Sequence, residues 1–225
     1  MNNTEYNYEH FNPKDYNFTT FEGPKAGENF IDFEAIKIDG TKVFLASYLD
    51  KPIVLETGSI TCPMYANTKE DMNKIQEEYP DVHFLLLYIR EAHPGAKTPQ
   101  ITTMKEKIEH AKLTDKYYHE QREILIDTVN GDAHKLYGSM PNMTYVIGKN
   151  GIVKFRANWT NIDALKSVLK DIHTDTIEKR DFYDIIKPKP WIAVRTLLIG
   201  GFGALVEFLV SLPQLLKQHK AVKRD

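Results

Sequence analysis

Two apolar runs, Ile53-Val54-Leu55 and the segment DVHFLLLYI, stand on either side of a stretch with helical periodicity, and this arrangement restricts the fold more than any other feature. In the intervening CPMYANTKEDMNKIQEEY, Met64, Thr68, Met72 and Ile75 recur at spacings of three and four, which marks one face of a helix. Pro63 falls at its first turn, where a missing N–H removes no hydrogen bond. A run as continuous as DVHFLLLYI suits a strand buried on both faces. Around this unit, FEAIKIDGTKVFL predicts a hairpin about Asp39-Gly40. ITTMKEKIEHAKL predicts a helix, EILIDT a strand, and Ala133 to Tyr137 a short helix. MTYVIG and IVKFRA predict two strands joined at Asn150-Gly151, and Asn161 to Ile172 a last helix. Strands that alternate with helices in this way imply an α/β fold, with a central sheet covered on both faces and right-handed crossovers.

The 225 residues suffice for one substantial core with appendages, and 42% hydrophobic with 27% charged residues is ordinary for a soluble globular chain. A net charge of -2 gives no electrostatic footprint for nucleic acid. One cysteine excludes an internal disulfide framework and a cysteine-rich zinc site, and suits a reducing, cytoplasmic compartment. The histidines at 10, 83, 119, 134, 173 and 219 show no ligand spacing, so no metal is expected. Residues 1–22 read as a polar, aromatic-rich arm with no secretory signal, 23–175 as the domain, and 176–190 as a linker ending in Pro188 and Pro190. Residues 191–225 form an apolar tail with a basic end. Trp191 to Leu212 is long enough to span a bilayer, but Arg195 and Glu207 would each cost about 2.5–3.5 kcal/mol at its centre. As one continuous helix, Arg195, Thr196, Gly203, Glu207, Ser211 and Gln214 share an arc opposite Leu197, Leu198, Leu205, Phe208, Leu209 and Leu212. Such an amphipathic helix must lie on its own domain, on a second copy in a homodimer, or on a membrane.

The lone thiol, Cys62, stands in GSITCPMY at the strand-to-helix junction. Helix-terminal N–H groups there favour the thiolate, and the hydroxyls of Ser59 and Thr61 are placed to donate to it or to a substrate. Tyr65 stands where a C-x-x-C motif would need its second cysteine, so reduction of an oxidised Cys62 must come from outside the chain. YIREAHP follows the buried strand, and Glu91 could orient His93 as a proton carrier beside the neighbouring strand end.

Strand order, closing hairpin and final helix resemble the thioredoxin-like three-layer sandwich, with an N-terminal β-hairpin extension and a C-terminal amphipathic or apolar helix. GSITCP, DVHFLLLYIREAHP and ILIDTVNGDAHKLYGSMPNMTYVI together resemble the iodothyronine deiodinases over roughly Pro52 to Ile172. The resemblance implies Cys62 in the selenocysteine position, Glu91 and His93 in the acid-base positions, and Ser59, Thr61 and Tyr88 lining the site. Met140-Pro141 corresponds to the proline loop that thioredoxin-like folds place beside the active thiol, with its cis or trans isomer open. Two departures accompany the likeness: sulfur replaces selenium, and the shortened GAKTPQITTM carries no histidine, with His110 lying further into the next predicted helix. The implied activity is reductive deiodination of an iodinated aromatic, with no bound cofactor and an external thiol (thioredoxin, glutathione or dithiothreitol-like) as reductant. A one-cysteine, peroxiredoxin-like peroxidase acting on a peroxide, and a non-enzymatic scaffold carried by the tail, are the alternatives.

Overall fold

The computed structural model describes residues 6–18, 22–174, 182 and 187–221. Strands β1 (Glu34–Lys37), β2 (Lys42–Phe44), β3 (Ile53–Gly58), β4 (His83–Tyr88), β5 (Glu123–Ile126), β6 (Thr144–Ile147) and β7 (Val153–Ala157) form one sheet in the order β2-β1-β5-β4-β3-β6-β7. The helices are α1 (Pro63–Glu78), α2 (Met104–Tyr118), α3 (Asp132–Leu136), α4 (Ile162–Leu169), α5 (Pro190–Gly200) and α6 (Phe202–Ala221). β3, β4 and β5 run parallel, while β1, β6 and β7 join in antiparallel pairs. The predicted order of elements is the observed one, and the predicted hairpin adds β1 and β2 to the β5 edge.

The double burial of β4 follows from strand alternation. Leu85, Leu87 and Ile89 pack with Leu55, Leu125 and Tyr145 on one face. Phe84 packs with Val54, Val146 and Phe155 on the other, where Leu86 and Tyr88 meet Ile124 and Ile126. Each such side chain contributes roughly 1.5–3 kcal/mol on burial. The steps β3 to β4 to β5 move in one direction, so right-handed crossovers bring α1 and α2 to the same face. Met72, Ile75 and Ala111 sit there, joined by Leu165 and Leu169 of α4. Ala133 and Tyr137, at and just after α3, cover the opposite face together with Phe11, Tyr16 and Phe18 of the N-terminal arm. The arm wraps rather than dangles: the Arg90 guanidinium lies 4.8, 4.7 and 5.1 Å from the ring centroids of Tyr6, Tyr8 and Tyr16.

A buried ionic knot joins several of these elements. Arg122 donates to Glu56 Oε2 at 2.6 Å and to Glu120 Oε1 and Oε2 at 2.9 and 2.8 Å. Glu56 Oε1 also accepts from Thr160 Oγ1 at 2.5 Å and Asn142 Nδ2 at 2.9 Å, and Tyr65 donates to Glu120 at 2.5 Å. The knot therefore ties β3, α1, the end of α2 and the β6–β7 region into one unit.

The tail departs from its predicted form. The continuous helix is broken at Gly201, whose φ of +117 favours glycine, into α5 and α6. Neither is long and apolar enough to cross a membrane. The single-helix faces fail accordingly, since Thr196 is buried while Leu198 and Leu209 are exposed. Gly200 approaches the backbone so closely that a Cβ there would lie 2.5 Å from His93 O. Lys97 N–H donates to Gly200 O at 3.0 Å and Thr98 Oγ1 to Ile199 O at 2.8 Å, which docks the helix pair on the loop after β4. The predicted linker, 176–190, lies mostly outside the described residues.

Candidate active site

The ends of β3 and β4 are stitched by the residues that the sequence singled out. Ile89 N–H donates to Gly58 O at 3.1 Å, continuing the parallel ladder past the strands. Ala92 N–H then donates to Ser59 Oγ, and His93 N–H to Thr61 Oγ1, both at 3.1 Å. Thr61 donates to Glu91 Oε2 through its hydroxyl at 2.6 Å and its N–H at 3.3 Å. Tyr88 donates its phenol proton to Glu91 Oε1 at 2.5 Å and accepts from Ile60 N–H at 3.3 Å. Ser59, Thr61, Tyr88 and Glu91 are completely buried. The Thr61 hydroxyl proton is thus committed to Glu91, while Ser59 Oγ joins the loops as an acceptor.

Glu91 has a further partner, His110, whose Nδ1 lies 3.1 Å from Oε1. Sequence reasoning left His110 out because it falls inside α2, beyond the shortened loop. Its signal was helical: Lys107, Ala111 and Thr114 form the buried seam of α2, and His110 adjoins that seam. His93 is placed differently from expectation. Glu91 does not hold its ring, which lies between Phe11 of the arm (centroids 4.2 Å apart) and Phe208 of α6 (5.3 Å), and its Nδ1 has no partner among the described residues. Met140 and Pro141 are buried, and every described peptide bond is trans, theirs included. Met140 packs in the cluster on the other sheet face from that of Cys62, and its carbonyl accepts from Thr57 Oγ1 at 3.3 Å.

Cys62 caps α1, with Pro63 following in the first turn. The N–H groups of Met64 and Tyr65 point toward Sγ and favour the thiolate, although neither closes a capping hydrogen bond. Burial outweighs them. Cys62 belongs to the buried cluster that includes Ile60, Tyr65, Tyr88, Ala92 and Ile199, and desolvation, with the Glu56 and Glu91 carboxylates adding, pushes the thiol up to about 12. The helix-end groups thus act in the expected direction, while burial opposes them and favours the protonated thiol in this enclosed position. From an ordinary value of 9.0, the shift corresponds to about a thousandfold less thiolate near neutral pH. Iodoacetamide alkylation of the native protein is therefore expected to be slow and to climb without a plateau to pH 10 or above, against an ordinary rate in urea. A plateau near pH 7 would contradict this.

Two buried histidines make a second pH-dependent statement. Desolvation holds both His93 and His134 down to about 3. His134 is the Nε2–H tautomer, donating to Met140 O and accepting from Tyr6 OH, both at 2.8 Å. Because both folded values lie below the unfolded value near 6.5, their contribution to stability is complete above pH 6.5 and lost as pH falls toward 3. Urea unfolding free energy should fall between pH 6.5 and 4 with an added slope of up to two protons, and His134→Gln should remove about one of them.

These features can be set beside known proteins. The family profile for iodothyronine deiodinase matches residues 7–159, which contain every group just described except Tyr6 and those of α5 and α6. Bovine (Bos taurus) type II iodothyronine deiodinase is 40% identical over 61 residues, covering 26% of this chain and 23% of the bovine protein. Sheep (Ovis aries) thyroxine 5-deiodinase is 25% identical over 114 residues, covering 46% of this chain and 39% of the sheep protein. The chain thus spans less than half the length of the curated relatives it matches. Among solved structures, the thioredoxin domain of a thiol-disulfide oxidoreductase from Bacteroides vulgatus superposes with a TM-score of 0.52 at 10% identity, over 65% of this chain and 97% of that one. On the extent of the profile match, the chain belongs to the iodothyronine deiodinase family, built on a thioredoxin-like fold.

Proposed function

We propose that this chain is a thiol-dependent reductive deiodinase acting on iodinated aromatics of the iodothyronine class, with Cys62 as its nucleophile. The observation that carries the reading is the Glu91 network: a fully buried carboxylate hydrogen-bonded to Thr61, the residue before Cys62, and to Tyr88 and His110. A buried carboxylate–imidazole pair beside a nucleophile can hold the proton that dehalogenation consumes.

In the proposed cycle the Cys62 thiolate attacks the iodine of the aromatic. The S–I bond forms as the C–I bond breaks, and the electron pair left on carbon takes a proton from the Glu91–His110 pair. A first external thiol displaces iodide from the sulfenyl iodide to give a mixed disulfide, and a second releases Cys62 and leaves as the disulfide. The chain has no other cysteine to do this. Attack requires water or substrate to reach Sγ, because only as its burial is relieved do the Met64 and Tyr65 N–H groups come to dominate. His93 stays neutral while Phe11 and Phe208 flank it. In this reading it contacts the substrate ring after those side chains shift, and the proton is carried by Glu91 with His110. Ser59 and Thr61 hold the two loops in register, while Met140 and Pro141 support β3 from behind.

The test supplies the purified chain and dithiothreitol with an iodothyronine in one arm and hydrogen peroxide in the other. Iodide release with dithiothreitol consumption in the first arm is the expected result. Peroxide consumption without iodide release would replace this reading with a one-cysteine peroxidase.

A further inference from the structure

The outer face of the α5–α6 pair matches none of the needs of the site beneath it. Of the ten large apolar side chains exposed among the described residues, eight lie on these two helices. Trp191, Val194 and Leu198 follow one another at helical spacing on α5, and Phe202, Val206 and Val210 do so on α6. Three of them are more open than they are covered: Trp191 at 63%, Phe202 at 72% and Val210 at 76%. The inner face carries different residues, with Leu197, Ile199 and Ala204 buried against the domain. Both faces of the pair are therefore apolar, and only one has a partner.

Charge identifies the other partner. Residues 187–225 hold seven Lys and Arg against two acids, a local net of +5 in a chain whose total is -2. Lys187, Lys189, Arg195 and Lys217 are exposed beside the stripe. The acid within the helices, Glu207, is turned to the N-terminal arm, with Oε1 2.7 Å from His10 Nδ1. An apolar stripe with tryptophan and phenylalanine, on helices whose exposed charges are cationic, matches the boundary between acyl chains and anionic headgroups. A second copy fits less well, since a two-fold contact through this stripe would set its own cations against each other. Neither helix can cross a bilayer, so the pair would lie in its surface.

We infer that the exposed face of α5 and α6 is a peripheral docking surface for an anionic membrane. It holds the chain at the headgroup layer while the inner face stays on the domain. This inference is independent of the chemistry at Cys62.

The test is sedimentation of the full chain with vesicles of phosphatidylcholine alone or in equal parts with phosphatidylserine, at low and high salt. Binding to the anionic vesicles is expected to be at least about tenfold stronger than to the neutral ones and to weaken with salt. Phe202→Ser with Val210→Ser should reduce it about tenfold with no change in Tm, because both side chains are exposed. Tryptophan emission should shift to the blue on binding, and the shift reports Trp191, since Trp159 is already 6% exposed. Absence of binding to the anionic vesicles would overturn the inference. So would a dimer, seen by light scattering, that the same double variant dissociates without changing vesicle binding.

Discussion

Glu91→Gln is expected to lower thiol-dependent iodide release by about 10²–10³-fold while making Cys62 more reactive toward alkylation. The two readouts move apart for a physical reason. The buried carboxylate accepts from Thr61, Tyr88 and His110, and an amide in its place cannot carry the shared proton; with its oxygen toward Thr61 it presents an NH2 where Tyr88 needs an acceptor. Turnover therefore falls. The same carboxylate is one of the charges that raise the Cys62 thiol, so its removal shifts the thiol downward and increases the thiolate fraction. A purely structural role would slow both processes or disturb both. Parallel rates of iodide release and iodoacetamide alkylation in wild type and variant separate the cases.

Arg122→Met should be the most destabilising single change away from the site, by about 3–5 kcal/mol, or roughly 10 °C in Tm for a chain of this size. It leaves Glu56 and Glu120, both buried, facing each other with their cation gone. Sum rules for packing alone would give a smaller loss, because methionine fills much of the vacated volume. The distinguishing comparison is the triple variant Arg122→Met, Glu56→Gln, Glu120→Gln, in which both carboxylates are neutralised along with the guanidinium. Thermal unfolding should recover a good part of the loss there. If the triple variant is no more stable than the single one, the knot is held by shape and not by charge.

The predicted order of strands and helices survived because each element had a local cause. The continuity and length of DVHFLLLYI required a strand covered on both faces, and Asp39-Gly40 required a turn. The site was legible to the extent that it was local: Ser59, Thr61, Tyr88, Glu91 and Cys62 lie on two loops at the ends of adjacent strands. Its other half depends on packing between distant segments. His110 reaches Glu91 only once α2 crosses over β4 and β5, and no spacing within GAKTPQITTM foretells that. The burial of Cys62 likewise depends on distant segments, since its cluster includes Ile199, 137 positions later in the chain. A helical wheel drawn through 191–212 presumed one axis. Gly201 was visible as a glycine, but its role as the break follows from Gly200 meeting the His93 backbone and Lys97 N–H.

In the proposed reaction one thiol, Cys62, carries a deiodination completed by an external reductant. Its most direct test is iodide released from an iodothyronine in the presence of dithiothreitol, compared between wild type and Cys62→Ser. The serine is nearly isosteric with a thiol that is protonated as folded, so both proteins should unfold at closely similar temperatures. Steady iodide release from wild type and none above background from Cys62→Ser is the expected result. Equal release from the two would place the chemistry elsewhere and contradict the account.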